Sequence, residues 1–468
     1  MKMICCWSRI ARAICCCVSM LFLLSCNKFL DKKAESSLVI PNSLSALQAL
    51  LDNNNIMNVY TGSGLAEVGT DDFYISGASY NALSELEKHA YTWQPYAYFT
   101  IAERNMNYSN IYRVVFNANT VLDQLKKMDD RNKETYNSIK GAALFFRAYA
   151  FYQLAQVYCP AYKGGDAEHN RMNLGLALRL SPDFEERSFR STLEETYVQI
   201  EKDLLASVEL LPDRAEIAMR PSKLASLAML GRLYLTMGAY DKSFVYSDRA
   251  LTLNAALMDY KDRSFQSATP FEILNPETIF LSYNATVFAI DPSIANVDTA
   301  LYRSYLDDDL RKLLFFNLKS DGTAAFKGSY VGFYNSVFFN GIATDELYLI
   351  KAECLARQGQ LELAKATLKL LLDKRYRNGF TFPETIHGQD AILRYILDER
   401  RKELLFRGLR WTDIRRLNFD QRFKKDLKRN LSFEGGEKTF QLPANDQRFT
   451  FQLPEDVVQL SGMQQNPL

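Results

Sequence analysis

The feature that most constrains this chain is an apolar spacing of three and four residues that recurs through long segments almost free of glycine and proline. It runs through Tyr108–Met128, Ile139–Tyr158, Leu193–Leu211, Leu224–Thr236, Tyr240–Leu253, Asp345–Arg357, Leu361–Asn378, Asp390–Arg407 and Arg410–Leu417. Each segment reads as an amphipathic helix, because that spacing lines one helical face with apolar side chains. A shorter helix follows Pro41, with Leu44, Leu47, Leu50 and Leu51 on one face. A chain built this way buries its stripes helix on helix, which predicts a mainly α fold with little β. Only 21 glycines and 13 prolines in 468 residues argue against turn-dense sandwiches and low-complexity sequence.

Two stretches break the pattern. Gly62–Phe99 mixes turn formers with aromatic residues and reads as ordered loop. Lys261–Gly341 contains one strand-like run, Thr278–Tyr283, and is too long for structureless loop, so it reads as a large loop-rich functional insertion. Beyond Leu417 the tail also reads as loop-rich. The helix pairs on either side of the insertion align on each other. Gly231, Tyr234, Gly238, Tyr240, Ser243 and Ala250 in the first match Ala352, Leu355, Gly359, Leu361, Ala364 and Leu371 in the second. Small residues around a turn glycine are tetratricopeptide-like, since two helices approach closely only where side chains are small. The pairs are separated and degenerate, which argues against a regular solenoid.

The N-terminus carries Lys2, Arg9 and Arg12 with no acid, then a twelve-residue apolar run from Ala13 to Leu24. Such a run is too short to span a bilayer and suits a secretory signal. It ends in Leu23-Leu24-Ser25-Cys26, which resembles the lipobox of bacterial lipoproteins. Residues 1–25 are therefore expected to be a signal peptide, Cys26 the lipidated residue and 26–42 a tether. Six of the eight cysteines fall in the first 26 residues, leaving Cys159 and Cys354 to read as small buried hydrophobes rather than a disulfide framework. A net charge of +1 gives no sign of nucleic-acid binding.

The residues of catalysis are poorly represented. His89, His169 and His387 show no metal spacing and no nucleophile constellation. Glu399 and Glu403, four apart on one helical face, could do acid–base work, but Arg400 and Arg410 beside them favour a structural ion network. Asp307-Asp308-Asp309 lacks the glycine and alternation of a calcium loop and reads as a solvated turn. What remains is aromatic surface. The 26 tyrosines and 30 phenylalanines exceed what a core needs, and they concentrate in Tyr91–Phe99 and Phe326–Phe339. Sugars present apolar C–H faces ringed by hydroxyls, so flat aromatics beside planar polar groups suit them. Trp93, Tyr96, Tyr334 and Asn335 are the first candidates for ligand contact, with Asn107 and Asn340 nearby. For any single ring, a core position is the plainer reading.

Four ordered segments resemble the SusD/RagB family of nutrient-binding outer-membrane lipoproteins. They are Cys26-Asn27-Lys28-Phe29-Leu30-Asp31, Lys140-Gly141-Ala142 through Arg147-Ala148-Tyr149-Ala150-Phe151-Tyr152, Tyr348-Leu349-Ile350-Lys351-Ala352-Glu353, and, the most specific, Glu399-Arg400-Arg401-Lys402-Glu403 through Arg410-Trp411-Thr412-Asp413. Gln465-Asn466-Pro467 closes the chain as in that family. Two positions depart from its pattern: Arg407, where glutamate is usual, and Asp345, where a small residue or arginine is usual.

The resemblance implies a SusD-like superhelical scaffold over residues 43–468, with an N-terminal part, 43–212, and a C-terminal part, 213–468. It also implies a protein anchored by lipid to the outer membrane and exposed at the cell surface, where it captures an oligosaccharide or peptide. Its implied partner is a TonB-dependent transporter of the SusC type, with no cofactor and no enzymatic activity. A surface glycoside hydrolase, or a structural cap of the transporter that binds no ligand, would be the alternatives.

Overall fold

The computed structural model describes residues 41–94, 105–128 and 133–467. Its long helices are α1 (Met106–Leu125), α2 (Lys133–Tyr158), α3 (Leu193–Leu210), α4 (Lys223–Thr236), α5 (Tyr240–Leu253), α6 (Thr344–Arg357), α7 (Leu361–Leu372), α8 (Gln389–Glu403) and α9 (Arg410–Leu417). Helix α2 is buried on every side from Gly141 onward, which is why its sequence is apolar all round rather than along one stripe. It lies between α1 and α3. Arg147 on α2 forks onto Asp203 on α3, Nε and Nη2 each at 2.8 Å from a carboxylate oxygen. From α3 the stack continues through α4, α5, α6 and α7. Leu44–Leu468 form one compact unit.

The two tetratricopeptide-like pairs share their turn chemistry. Gly238 and Gly359 both take left-handed φ, 70° and 77°, after the first helix of their pair. The residue after each glycine donates its N–H five residues back, Ala239 to Tyr234 O and Gln360 to Leu355 O, both at 2.9 Å. That is the Schellman closure of a helix end. Ser243 Oγ donates to Gly231 O at 2.8 Å, and a Cβ at Gly231 would press on Ser247 of the facing helix at 3.3 Å. Although the insertion separates the pairs in sequence, α6 packs directly on α5. Lys351 Nζ lies 2.6 Å from Asp248 Oδ1, and the Arg357 guanidinium sits 4.4 Å from the centre of the Tyr240 ring. The helical stack therefore runs through both pairs without a gap.

Among the described residues, strands form only two-stranded ribbons. Gly62–Phe99, expected as loop, contains three short helices, Gly64–Val68, Gly77–Asn81 and Glu85–Thr92. The last has a full capping box between Ser84 and Glu87, a sequence signal that the aromatic content of the stretch obscured. The tail contains a hairpin, Leu427–Phe433 against Gly436–Leu442, whose alternating Leu427, Arg429 and Leu431 face inward. Helix α7 stops at Leu372 instead of reaching Asn378, because the carbonyls of Lys374 and Arg375 bond to Tyr260 and Leu310 of the insertion. Helix α8 ends at Glu403, and Phe406 and Gly408 turn left-handed before α9. The closing Gln465-Asn466 motif fastens the tail to the end of α2, where Asn466 Nδ2 donates to Tyr158 O and Phe451 O at 2.9 and 2.7 Å. No helix among the described residues is long and apolar enough to cross a membrane. Cys26 and the expected signal peptide lie outside the described residues, as does Tyr96.

Candidate functional site

Three segments remote in sequence cross at the outer edge of the insertion. Tyr283 N donates to Asn58 O, Thr61 N to Tyr283 O, and Asn284 N to Phe338 O, at 3.0 to 3.1 Å. This crossing fixes the neighbouring turn Gly332–Asn335. Asn335 Oδ1 accepts from Val337 N at 2.7 Å, which leaves the amide nitrogen facing outward on an exposed residue. Phe333 and Tyr334 are 40% and 42% exposed, and Phe333 stands edge-on to Tyr283 at 5.9 Å. Partial burial raises the Tyr334 phenol above its ordinary value, opposed by the Asn317 amide.

Tyr60, held left-handed at φ 59°, lies one residue before the Thr61–Tyr283 bond and lines a groove of about 450 Å³. Asn53, Asn55, Asn110, Arg113 and Met106 share that groove. That groove sets planar amides and a guanidinium beside the Tyr60 ring, a set that can stack on a sugar ring and bond its hydroxyls. Tyr334 and Asn335, expected as ligand contacts, are exposed on the Gly332–Asn335 turn and are not among the residues that line this groove. Tyr60, Asn110 and Arg113 were not anticipated, although the Asn53-Asn54-Asn55 run before Tyr60 was a visible turn signal.

Trp93 does not join it. The ring is 4% exposed, its Nε1 donates to Gly69 O at 2.9 Å, and the Arg429 guanidinium lies 4.9 Å from its centre. Tyr91 and Phe73 flank the same guanidinium, at 3.5 and 5.2 Å. The expectation that Trp93 offers a free face is corrected: the helix Glu85–Thr92 ends at Trp93 in a left-handed turn that rotates the indole inward. Asn107 and Asn340 are also buried and occupied. Asn107 Oδ1 accepts from Leu65 N, and Asn340 Oδ1 accepts from Gln153 Nε2 at 2.7 Å. Of the second aromatic run, Phe326, Tyr330, Phe338 and Phe339 are core.

The comparisons with known proteins decide the family. A family profile described as "Starch-binding associating with outer membrane" matches residues 28–235, and a second, "SusD family", matches residues 344–468. The chain belongs to the SusD/RagB family. No curated protein matches it. Among solved structures it is similar to a protein of Bacteroides vulgatus provisionally named as sugar-binding, with TM-score 0.72 and 18% identity over 92% of this chain and 99% of that one. A SusD superfamily protein of Bacteroides thetaiotaomicron gives 0.69 and 19%, over 91% and 100%. A SusD-like carbohydrate binding protein of Bacteroides vulgatus gives 0.65 and 17%, over 90% and 96%.

The charged motif of this SusD/RagB chain is the buried centre of the fold. Arg311, fully buried, donates to Asp309, to Glu399 at 2.6 Å and to Glu403 at 3.0 Å. Arg375 Nε reaches Glu403 at 2.7 Å while its Nη2 straddles both oxygens of Glu277 at 2.9 Å. Asp309 is therefore no solvated turn residue, because Arg311 two positions on draws it inward. Carboxylate oxygens of Glu277, Asp345 and Glu403 lie within 4.8 Å of one another, a spacing that a metal could use. Arg375 and Arg407 already supply the counter-charge there. Burial pushes Glu277 up to about 7 even so. Cys159 and Cys354 are buried, and burial pushes their thiols up to about 11 and about 12. Trp411 is fully buried against Phe449 and Phe451.

Proposed function

We propose that this protein is a cell-surface binding protein, anchored in the outer membrane through lipid on Cys26, that captures an oligosaccharide and passes it to a TonB-dependent transporter of the SusC type. The observation that carries the ligand half is the exposed Phe333-Tyr334-Asn335 turn, with the amide-lined Tyr60 groove as a further polar surface. Aromatic faces with adjacent amides suit a glycan, and relatives of the same fold carry names of sugar or carbohydrate binding. Family membership supports the membrane and transporter half.

Binding without catalysis fits the carboxylates. Glu399 and Glu403, spaced for acid–base work, are sealed from solvent and saturated by Arg311, Arg375 and Lys402. A peptide ligand is the second reading, since aromatic and amide surfaces also receive peptides. Affinity electrophoresis against a panel of soluble glycans tests the proposal. Retardation by one glycan class, with no product released, is expected. Release of shorter sugars would instead make the protein a hydrolase, and no retardation by any glycan would favour a peptide or a ligand-free cap.

A further inference from the structure

The Tyr60 groove carries a charge that a neutral sugar would leave unanswered. Met106, Asn110 and Arg113 stand at i, i+4 and i+7 on α1, so they form one wall in a row along the helix. The segment after the Leu44–Leu51 helix faces them with Asn53, Asn55 and Tyr60. Arg113 is exposed and, among the described residues, pairs with no carboxylate. Among those residues no acid lines the groove. The acid nearest in sequence, Asp52, is already engaged, since Arg220 Nε and Nη2 fork its two oxygens at 2.8 Å each. The Asn55 and Asn110 amides likewise make no hydrogen bond among the described residues, and both reach solvent at the groove. The donors here are therefore open to a ligand, and the only charge on them is positive.

Tyr60 adds an independent observation. A non-glycine residue at φ 59° is rare and costly, and it persists where the surroundings over-determine it. Thr61 N and Gly62 N both donate to Tyr283 O, at 3.0 and 3.1 Å, and Asn58 Nδ2 donates to Leu281 O at 2.8 Å. Those bonds clamp the backbone on either side of Tyr60 and hold its half-buried ring at the groove. A ring placed in advance loses little freedom when a ligand stacks on it. The Tyr334 turn differs in sign, because the Asp291 charge acts on Tyr334 and adds to the rise of its phenol. An anionic ligand group is disfavoured at that turn and favoured at Arg113.

We infer that the Tyr60 groove binds the acidic residues of a glycan, uronate or sulfated, with the anionic group received by the Arg113 guanidinium, the sugar ring set against Tyr60 and its hydroxyls on the asparagine amides. A planar guanidinium matches a carboxylate or sulfate two bonds at a time, which a neutral hydroxyl cannot offer. This rests on the reading of the protein as a glycan binder and names the class of glycan. Calorimetric titration of the full chain tests it with two matched pairs: oligogalacturonate against its methyl-esterified form, and a sulfated galactan oligosaccharide against its desulfated form. At least one acidic member should bind saturably and about tenfold or more tighter than its neutral partner, and the pair that does so identifies the anion as carboxylate or sulfate. Arg113→Gln should abolish that preference with melting unchanged, because the side chain is exposed and unpaired. Equal binding within both pairs, or unchanged binding of the acidic member by the variant, would overturn the inference. Binding of neutral glycans alone would overturn it and leave glycan capture standing, whereas no binding of any glycan would overturn both.

Discussion

Arg407 Nη2 donates to Asp345 Oδ2 at 2.9 Å, and both side chains are buried. These are the two positions at which the sequence departs from the family pattern, and they face each other. The Arg407 guanidinium also lies 3.9 Å from the centre of the Tyr330 ring, whose hydroxyl donates to Glu277 at 2.8 Å.

Removing either partner should therefore be costly. Arg407→Ala should destabilise by about 3–5 kcal/mol, because it leaves Asp345, Glu277 and Glu403 crowded with one cation fewer. Asp345→Ala should also destabilise, and the double variant should lose clearly less than the sum. Urea unfolding of the four proteins measures the coupling; strictly additive losses would show that the two residues act independently.

Glu67 makes stability depend on pH. Burial, reinforced by the nearby Asp72 charge, pushes its carboxyl up to about 8, while Gly408 N–H donates to it at 2.9 Å. The folded state thus holds a proton that the unfolded chain releases near pH 4.5. The contribution is complete below that pH and is lost as pH rises through about 8. Glu67→Gln keeps an uncharged group there at all pH values. Its melting temperature relative to wild type should rise between pH 5 and pH 9, and a constant difference would contradict the assignment.

Trp93 and Tyr334 should separate by readout. Trp93→Ala removes a buried ring and its bond to Gly69, so melting should fall by the equivalent of about 3–5 kcal/mol. Tyr334→Ala, on an exposed turn, should leave melting nearly unchanged and weaken glycan binding by roughly tenfold. Tight binding by the Tyr334 variant would move the ligand face to the Tyr60 groove.

Cys26→Ala should shift the protein from the membrane fraction to the soluble fraction, because acyl chains on that thiol are the proposed anchor. Retention in membranes after carbonate washing would count against Cys26 as the lipidated residue.

The helical scaffold was legible because its signals are local: apolar period, small residues and turn glycines repeat within a few residues, as at Gly238 and Gly359. Helix ends were less legible where distant partners set them, as when Tyr260 and Leu310 draw off the carbonyls that would have continued α7. The ligand candidates divided for the same reason. Tyr334 and Trp93 look alike in sequence, each an aromatic in a turn-rich run, and Trp93 is enclosed by its bond to Gly69 together with Arg429, which arrives from a hairpin more than three hundred residues away. The carboxylates of Glu399 and Glu403 were readable as structural, but their main partners, Arg311 and Arg375, come from outside their own helix.

Helix α6 packs on α5, so residues 254–343 leave and re-enter the helical stack at a single seam. Such a segment behaves as an exchangeable cassette. Its surface turns can be rewritten without disturbing the register of the helices, provided that a few pins, Glu277, Asp309 and Arg311, still seat in the buried charges beneath. A lineage could thereby acquire a new specificity by altering one stretch of chain while inheriting its architecture intact.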